Sequence, residues 1–234
     1  MILLQEPRLS DFSPCSYLAD RMWRFEYFFA HGLDGRELDL LLQRGWRKFG
    51  QYYFRPNCDV CRSCIPIRIL AHKFVTGKSQ RRIAKRCAAV EVRFGGLDFR
   101  EEIFEIYRDH SLNRFGKESD EDEFIAAFYS QSCPALQSEY YLDGELIAVG
   151  FLDQSNESLS SVYFIYKTAH ERLRLGTYSV IREAEYAASH GLKYYYLGYY
   201  IEENQSMAYK GHFHPHETYD WERQEWTRER SADK

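Results

Sequence analysis

Three cysteines spaced Cys58-x-x-Cys61-x-x-Cys64 are the residues of this chain whose type and spacing most directly suggest chemistry. Thiols at this spacing in a loop reach one tetrahedral zinc or an iron–sulfur cluster, and either would want a fourth ligand. Cys15, in another cysteine-bearing loop, is the natural candidate. The competing reading is that small side chains fill a tight, buried turn, and the pattern alone leaves metal and packing both open. Cys87 and Cys133 have no spacing partners and read as core.

A second constellation is cationic. Between Val60 and Val90 stand Arg62, Arg68, Lys73, Lys78, Arg81, Arg82, Lys85 and Arg86, eight of the chain's 31 Lys and Arg, and none of its 35 Asp and Glu. The net charge is −4, so one basic patch sits on an acidic body, which steers a phosphate-bearing ligand to one place. Lys78, Arg81, Arg82 and Lys85 fall at i, i+3, i+4 and i+7 and share a face of a helix expected over 78–88, with Ile83 and Cys87 opposite. With Arg86 they are the candidate contacts to RNA phosphates, a merely solvated helix being the alternative.

The third is the loop His170-Glu171-Arg172-Leu173-Arg174-Leu175-Gly176-Thr177. A strand, a glycine-bearing loop and a helix N-terminus together bind anions, because free N–H groups and the positive end of the helix dipole meet there. Arg172 or Arg174, Gly176 and Thr177 are the residues that would serve, the alternative being that Gly176 simply caps a strand-to-helix turn. His110, His212, His214 and His216 tempt as ligands, but alternating histidines before an aromatic strand are more simply solvated.

The elements that position these groups follow from pattern. Helices are expected at 36–44, closed by Gly45, at 98–112, at 120–130 with a start at Ser119-x-x-Asp122 resembling a capping box, and at 177–190, closed by Gly191. Strands are expected at 51–55, 65–70, 90–94, 140–142, 145–153, 160–166 and 193–200, with Asp143-Gly144 as a hairpin turn, while residues 1–20 read as irregular. The order strand, strand, strand, loop, helix, strand over 139–200 describes the second half of a GCN5-related N-acetyltransferase-like (acyl-CoA N-acyltransferase-like) fold. The coenzyme A motif R/Q-x-x-G-x-G/A is only partly present, which counts against coenzyme A as donor and leaves the aminoacyl ester of tRNA to consider. The expected architecture is α+β or α/β: an N-terminal part, 1–95, with the cysteine motif and basic region, and an acyltransferase-like part, 96–234.

Composition sets the bounds. Hydrophobic content of 44% and charged content of 28% fit a folded globular chain rather than a disordered one, and 19 Tyr with 16 Phe favour β structure. No run approaches the ~20 apolar residues that span a bilayer, and the aliphatic start MILL is too short for a signal-peptide core. No membrane and a reducing, cytoplasmic setting are expected, with thiols rather than disulfides.

With these residues in view, the chain resembles the arginyl/leucyl-tRNA–protein transferase family over nearly its whole length, closer to the bacterial branch that adds leucine to N-terminal Asp or Glu. The resemblance rests on Pro14-Cys15-Ser16-Tyr17-Leu18, Gly45-Trp46-Arg47-Lys48, Tyr53-Phe54-Arg55-Pro56 with the three cysteines, Pro66-x-Arg68, and Lys78-Ser79-Gln80-Arg81-Arg82-x-x-Lys85-Arg86. It continues through Leu175-Gly176-Thr177-Tyr178-Ser179, Tyr196-Leu197-Gly198-Tyr199-Tyr200-Ile201 and Met207-Ala208-Tyr209-Lys210-x-x-Phe213-x-Pro215-x-Glu217. Cys15-Ser-Tyr-Leu18 lacks the second cysteine of the eukaryotic arginyl enzymes, and Lys167-Thr168, Arg174 and Ser206 replace Asp-Pro, Ser and Lys, so the donor amino acid is less fixed than the family.

The resemblance implies aminoacyl-tRNA and proteins with acidic N-termini as partners, and no cofactor for the transfer itself, leaving zinc or iron–sulfur at the cysteines open. It nominates Tyr209 and Lys210 as catalytic, reaching the ester or the acceptor's acidic side chain, with a surface helix as the alternative, and Arg55 and Arg68 as readers of the acceptor carboxylate or simply partners of the body's own acids. The tyrosine-rich segment 194–200 reads as a core strand, with adenine stacking as a secondary option. A coenzyme A-dependent N-acetyltransferase and a non-catalytic metal- or RNA-binding module are the rival readings.

Overall fold

The computed structural model describes residues 1–228. Fourteen strands and six α-helices appear among them: β1 Ile2–Leu9, β2 Ser13–Pro14, β3 Met22–Trp23, β4 Phe25–His31, α1 Gly35–Gln43, β5 Arg47–Phe49, β6 Tyr52–Pro56, β7 Ile65–Leu70, α2 Lys78–Arg86 and β8 Glu91–Gly95. Then follow α3 Glu101–Phe115, α4 Glu121–Phe128, β9 Ala135–Leu142, β10 Glu145–Gln154, β11 Ser158–Tyr166, α5 Leu175–Ser189, β12 Tyr194–Tyr200, α6 Gln205–Ala208, β13 His216–Asp220 and β14 Glu225–Arg228.

Local chemistry accounts for the boundaries. Asp34 caps α1 by accepting from Glu37 N, and the Glu37 carboxylate returns the bond to Asp34 N. Asp143 and Gly144, with φ of 52° and 84°, make the two-residue turn that joins β9 to β10, as the Asp-Gly pair predicts. At α4 the cap is Asp120, which accepts from Glu123 N, rather than the expected Ser119.

An eight-stranded sheet in the order β14-β13-β7-β12-β11-β10-β9-β8 forms the body. Its strands pair antiparallel except β11 and β12. Strands β7 and β8, which precede residue 96, lie in the same sheet as the later strands. On one face α5 lays Val180, Ile181, Ala184 and Ala187 against Ile67, Ile69, Leu159, Tyr195 and Leu197, and α2 adds Ile83 and Cys87 beside Tyr140 and Tyr178. On the other face α3 and α4 bury Ile103, Ile106, Phe124 and Phe128 on Val149, Phe151 and Ile165. Alternation along β10 divides Leu152 from Val149 and Phe151, as the period of two in a strand requires.

A four-stranded sheet, β1-β4-β6-β5, packs with α1 over Tyr196 through Phe28, Leu38, Leu42, Trp46 and Tyr53. The first residues are therefore not irregular. β1 pairs antiparallel with β4, but as an edge strand whose Ile2, Leu3, Leu4 and Leu9 are all exposed it carries no alternation to read.

Candidate active site

Strands β11 and β12 run parallel but pair at three positions only, Ser158 with Tyr194, Leu159 with Tyr195 and Ser160 with Tyr196. Past these the strands part. A register shift in the β10–β11 pairing leaves Val162 unmatched, and another in the β12–β7 pairing leaves Leu197 unmatched just before Gly198, whose φ is +85°. Bulges of this kind end pairing and re-aim side chains. The opening is flanked by Ser161–Tyr166 on one side and Leu197–Tyr200 on the other.

Two cations meet there. Arg47, from β5 of the small sheet, donates to Ser160 Oγ at 2.7 Å and to the main-chain carbonyl of Ser161. Lys210, in the turn after α6, donates to the main-chain carbonyl of Tyr199 at 2.9 Å. Burial lowers the Arg47 guanidinium from its usual range, opposed by Tyr199 and Asp153. Burial also pushes the Lys210 ammonium down to about 7, with repulsion from Arg47 adding to it and Cys64 opposing. Beside Arg47, Lys48 pairs with buried Asp153 at 3.0 Å.

Tyr209 packs its ring against Phe213 on the α5 side of the sheet. Burial raises its hydroxyl to about 12, reinforced by the charge of Glu183 and opposed by Arg114. Glu183 itself projects from α5 into the core, 1% exposed, and accepts from Ser138 Oγ at 2.9 Å, Tyr140 Oη at 3.3 Å and Tyr195 Oη. Burial holds this carboxyl up at about 7 even against those three donors. Gly150 makes room for the group: a Cβ there would stand 2.6 Å from Glu183 Oε1 and closer still to Ser138 Oγ.

The donor-side candidates lie on the same face as α5. Lys78, Arg81, Arg82, Lys85 and Arg86 are all exposed on α2, and none forms an ion pair with a described residue. Arg86 donates to the carbonyl of Arg172, which joins the cationic helix to the loop before α5. Arg174 takes a left-handed conformation as the N-cap, φ 60°, so α5 starts at Leu175 and Gly176 and Thr177 belong to its first turn. No atom lies within 4 Å of where a Gly176 Cβ would be, so this turn faces open space.

The cysteine loop borders a cavity of about 160 Å³ lined by Cys58, Cys61, Cys64, Glu26, Arg55 and Trp221 among others. Arg55 is held there by Glu26 at 2.7 Å and lies over the Trp46 ring. Cys64 is pushed up to about 12, first by burial and then by Cys15, Cys58 and Cys61, so the four thiols share one neighbourhood. Arg21 donates to Cys61 Sγ at 3.2 Å, and Cys58 Sγ lies 3.9 Å from the Arg24 carbonyl. Among the described residues no three His, Cys, Asp or Glu side chains are arranged as a metal-ligand group.

Arg68 pairs with one of the body's own acids, the second of its two readings. It is 6% exposed, bonded to Glu217 at 2.7 Å and to Tyr196 Oη at 2.9 Å, and sandwiched by Tyr194 and Trp226. A guanidinium so occupied is a structural cation. His216 is buried against the Phe213 carbonyl, His110 is buried beside Tyr166, and His212 and His214 are exposed.

Residues 13–82 match the family described as arginine-tRNA-protein transferase, N terminus, and residues 101–220 match its C terminus. The chain belongs to this family of aminoacyl-tRNA–protein transferases. Proteins named aspartate/glutamate leucyltransferase are 35% identical in Chromobacterium violaceum, over 86% of both chains, and 35% identical in Thiobacillus denitrificans over the same shares. One from Helicobacter hepaticus is 31% identical over 87% of both chains. Among solved structures, L-PGS from Bacillus licheniformis aligns at 13% identity and a TM-score of 0.47, covering 75% of this chain and 52% of that one. FemX aligns at 9% and 0.48, covering 83% and 79%.

In this transferase sequence pattern alone points to neither Arg47 nor the buried Glu183. Arg47 lies in Gly45-Trp46-Arg47-Lys48, and its one further signal is a pair of adjacent cations in a short aromatic strand. Glu183 carried one too: it is an acid on the helix stripe that also holds Val180, Ala184 and Ala187.

Proposed function

We propose that this chain moves leucine from Leu-tRNA onto proteins that begin with Asp or Glu, marking them for N-end-rule degradation in the cytoplasm. The observation that carries the reading is the 35% identity, over 86% of both chains, with proteins named aspartate/glutamate leucyltransferase. The parting of β11 from β12, with α5 starting beside it, supports a GCN5-related N-acetyltransferase-like arrangement for the acyl-transfer centre.

The ester joining the amino acid to tRNA is already activated, so neither ATP nor a covalent enzyme intermediate is required. The acceptor α-amine, with a pKa of about 7.7–8.0, is partly neutral at cellular pH. Its nitrogen attacks the ester carbonyl, the C–N bond forms, the C–O bond to the ribose breaks, and the amine proton passes to the departing ribose oxygen. The work left to the protein is positioning and charge stabilisation. The Tyr209 hydroxyl donates to the developing oxyanion, whereas the Lys210 ammonium faces the acceptor. Arg174, Gly176 and Thr177 at the start of α5 receive the 3′-terminal phosphates, and Lys78, Arg81, Arg82, Lys85 and Arg86 hold the backbone further along. Arg55 borders the cavity by which an acidic acceptor approaches. A metal at Cys15, Cys58, Cys61 and Cys64 would act on this loop's structure rather than on the ester.

The test is transfer by the purified protein from radiolabelled Leu-tRNA or Arg-tRNA to peptides beginning with Asp, Glu or Ala. Leucine on the acidic peptides alone supports the reading. Arginine transfer changes the donor, and no transfer from either removes the function.

A further inference from the structure

Arg47 and Lys210 converge on one point with no carboxylate of their own among the described residues. A Cβ built on Gly198 would lie 3.7 Å from Arg47 Nε, 3.7 Å from Arg47 Nη2 and 3.7 Å from Lys210 Nζ. The carboxylate that acts on Arg47 is Asp153, and Lys48 already holds it at 3.0 Å. The other groups facing the pair are Tyr195, Tyr196 and Tyr199 around Arg47, and Cys64 near Lys210. Two cations brought together out of bulk water repel each other, and an arrangement of this kind is relieved when an anion is placed between them. Neither residue is fully buried.

We propose that the Arg47 guanidinium and the Lys210 ammonium, facing each other over Gly198, bind the side-chain carboxylate of the acceptor's first residue and so set the preference for Asp and Glu. This rests on the transferase reading above and adds the residues that choose the substrate. A carboxylate is favoured over a tRNA phosphate by direction. Arg47 enters from the small sheet, whereas α2 and the start of α5 lie on the opposite face of the large sheet. The glycine is part of the device, because any side chain at 198 would fill the place between the cations.

Direct peptide binding, read by calorimetry, tests this without requiring turnover. The wild-type protein is expected to bind peptides beginning with Asp or Glu about tenfold or more tighter than those beginning with Asn or Gln, the usual scale for charge-assisted hydrogen bonds. Arg47→Gln, Lys210→Gln and Gly198→Ala should each bring that ratio close to one while leaving the affinity for Leu-tRNA unchanged. Should Arg47→Gln fail to fold, the other two variants carry the test, with circular dichroism as the control. A ratio that survives in the folded variants overturns the proposal, as does a loss of Leu-tRNA affinity with the peptide preference intact, which would make this a phosphate site. If acidic peptides bind preferentially and lose that preference in the variants, yet no leucine is transferred, the site stands and the transferase reading falls.

Discussion

The guanidinium of Arg86 donates to the main-chain carbonyl of Arg172 at 2.7 Å, so the last turn of the cationic helix is fastened to the loop that opens α5. Whatever α2 grips is thereby held in register with the first turn of α5, where Gly176 faces open space.

The exposed cations of α2 are expected to act on RNA and not on stability. Changing Lys78, Arg82 and Lys85 together to Ala should raise the KM for charged tRNA and flatten the slope of log affinity against log salt by about two to three, one counterion per lost phosphate contact. The urea midpoint should stay where it is, since none of the three pairs with a described residue. A fall in stability with an unchanged salt slope would make α2 a structural helix.

Tyr209→Phe should lower kcat by about 10²-fold with little change in either KM, the range seen when one oxyanion donor is removed. Stability should hold, because that hydroxyl has no hydrogen-bond partner among the described residues. An unchanged kcat would remove Tyr209 from the chemistry.

Arg68 is predicted to matter for folding alone. Arg68→Met leaves Glu217 and Tyr196 Oη without their partner and should cost about 3–5 kcal/mol in urea unfolding, the scale for breaking a buried pair. At a temperature where the variant is folded, its discrimination between Asp and Asn peptides should match the wild type. Lost discrimination would restore Arg68 as a reader of the acceptor.

Two buried groups pull stability in opposite directions with pH. Glu183 is raised to about 7 in the fold, so between about 4.5 and 7 the folded state holds a proton that the unfolded chain has released, and stability falls as pH rises. His110 is lowered to about 4, chiefly by burial, so between about 4 and 6.5 the unfolded chain holds the extra proton, and stability rises with pH. At about 1.4 kcal/mol per pKa unit each contributes roughly 3 kcal/mol, and between about 4.5 and 6.5 the two nearly cancel. Urea midpoints across this range should show Glu183→Gln gaining stability with pH relative to wild type, and His110→Gln losing it. Parallel profiles for all three proteins would contradict the assignment.

Gly150→Ala should destabilise by about 1–3 kcal/mol, because the new methyl meets Glu183 Oε1 and Ser138 Oγ in a packed core. The measurement is again the urea midpoint, and a neutral result would mean the network around Glu183 yields easily.

Much of the fold was legible because it is written locally. The hairpin at Asp143-Gly144, the strand Ile65–Leu70 and the exposed cationic face of α2 are where periodicity and turn chemistry place them. The order of elements from residue 139 to 200 is also as expected, ending in a strand whose Tyr195, Tyr196 and Tyr199 are core. What escaped depends on partners far along the chain. β1 exists through its pairing with β4, and neither shows a pattern of its own. Arg68 could be read as a carboxylate reader or as the partner of an acid, and the acid it pairs with, Glu217, lies 149 residues away. The meeting of Arg47 with Lys210 depends on a small sheet laid over the large one, which no local spacing records.

The aminoacyl end of the donor is predicted to sit where β11 parts from β12, and a structure with a non-hydrolysable 3′-amide of leucyl-adenosine tests that most directly. The leucyl carbonyl is predicted to lie between Ser161–Tyr166 and Leu197–Tyr200, within hydrogen-bonding reach of the Tyr209 hydroxyl. Density for the analogue in the cavity beside Cys58, Cys61 and Arg55, with the strand opening vacant, would contradict it.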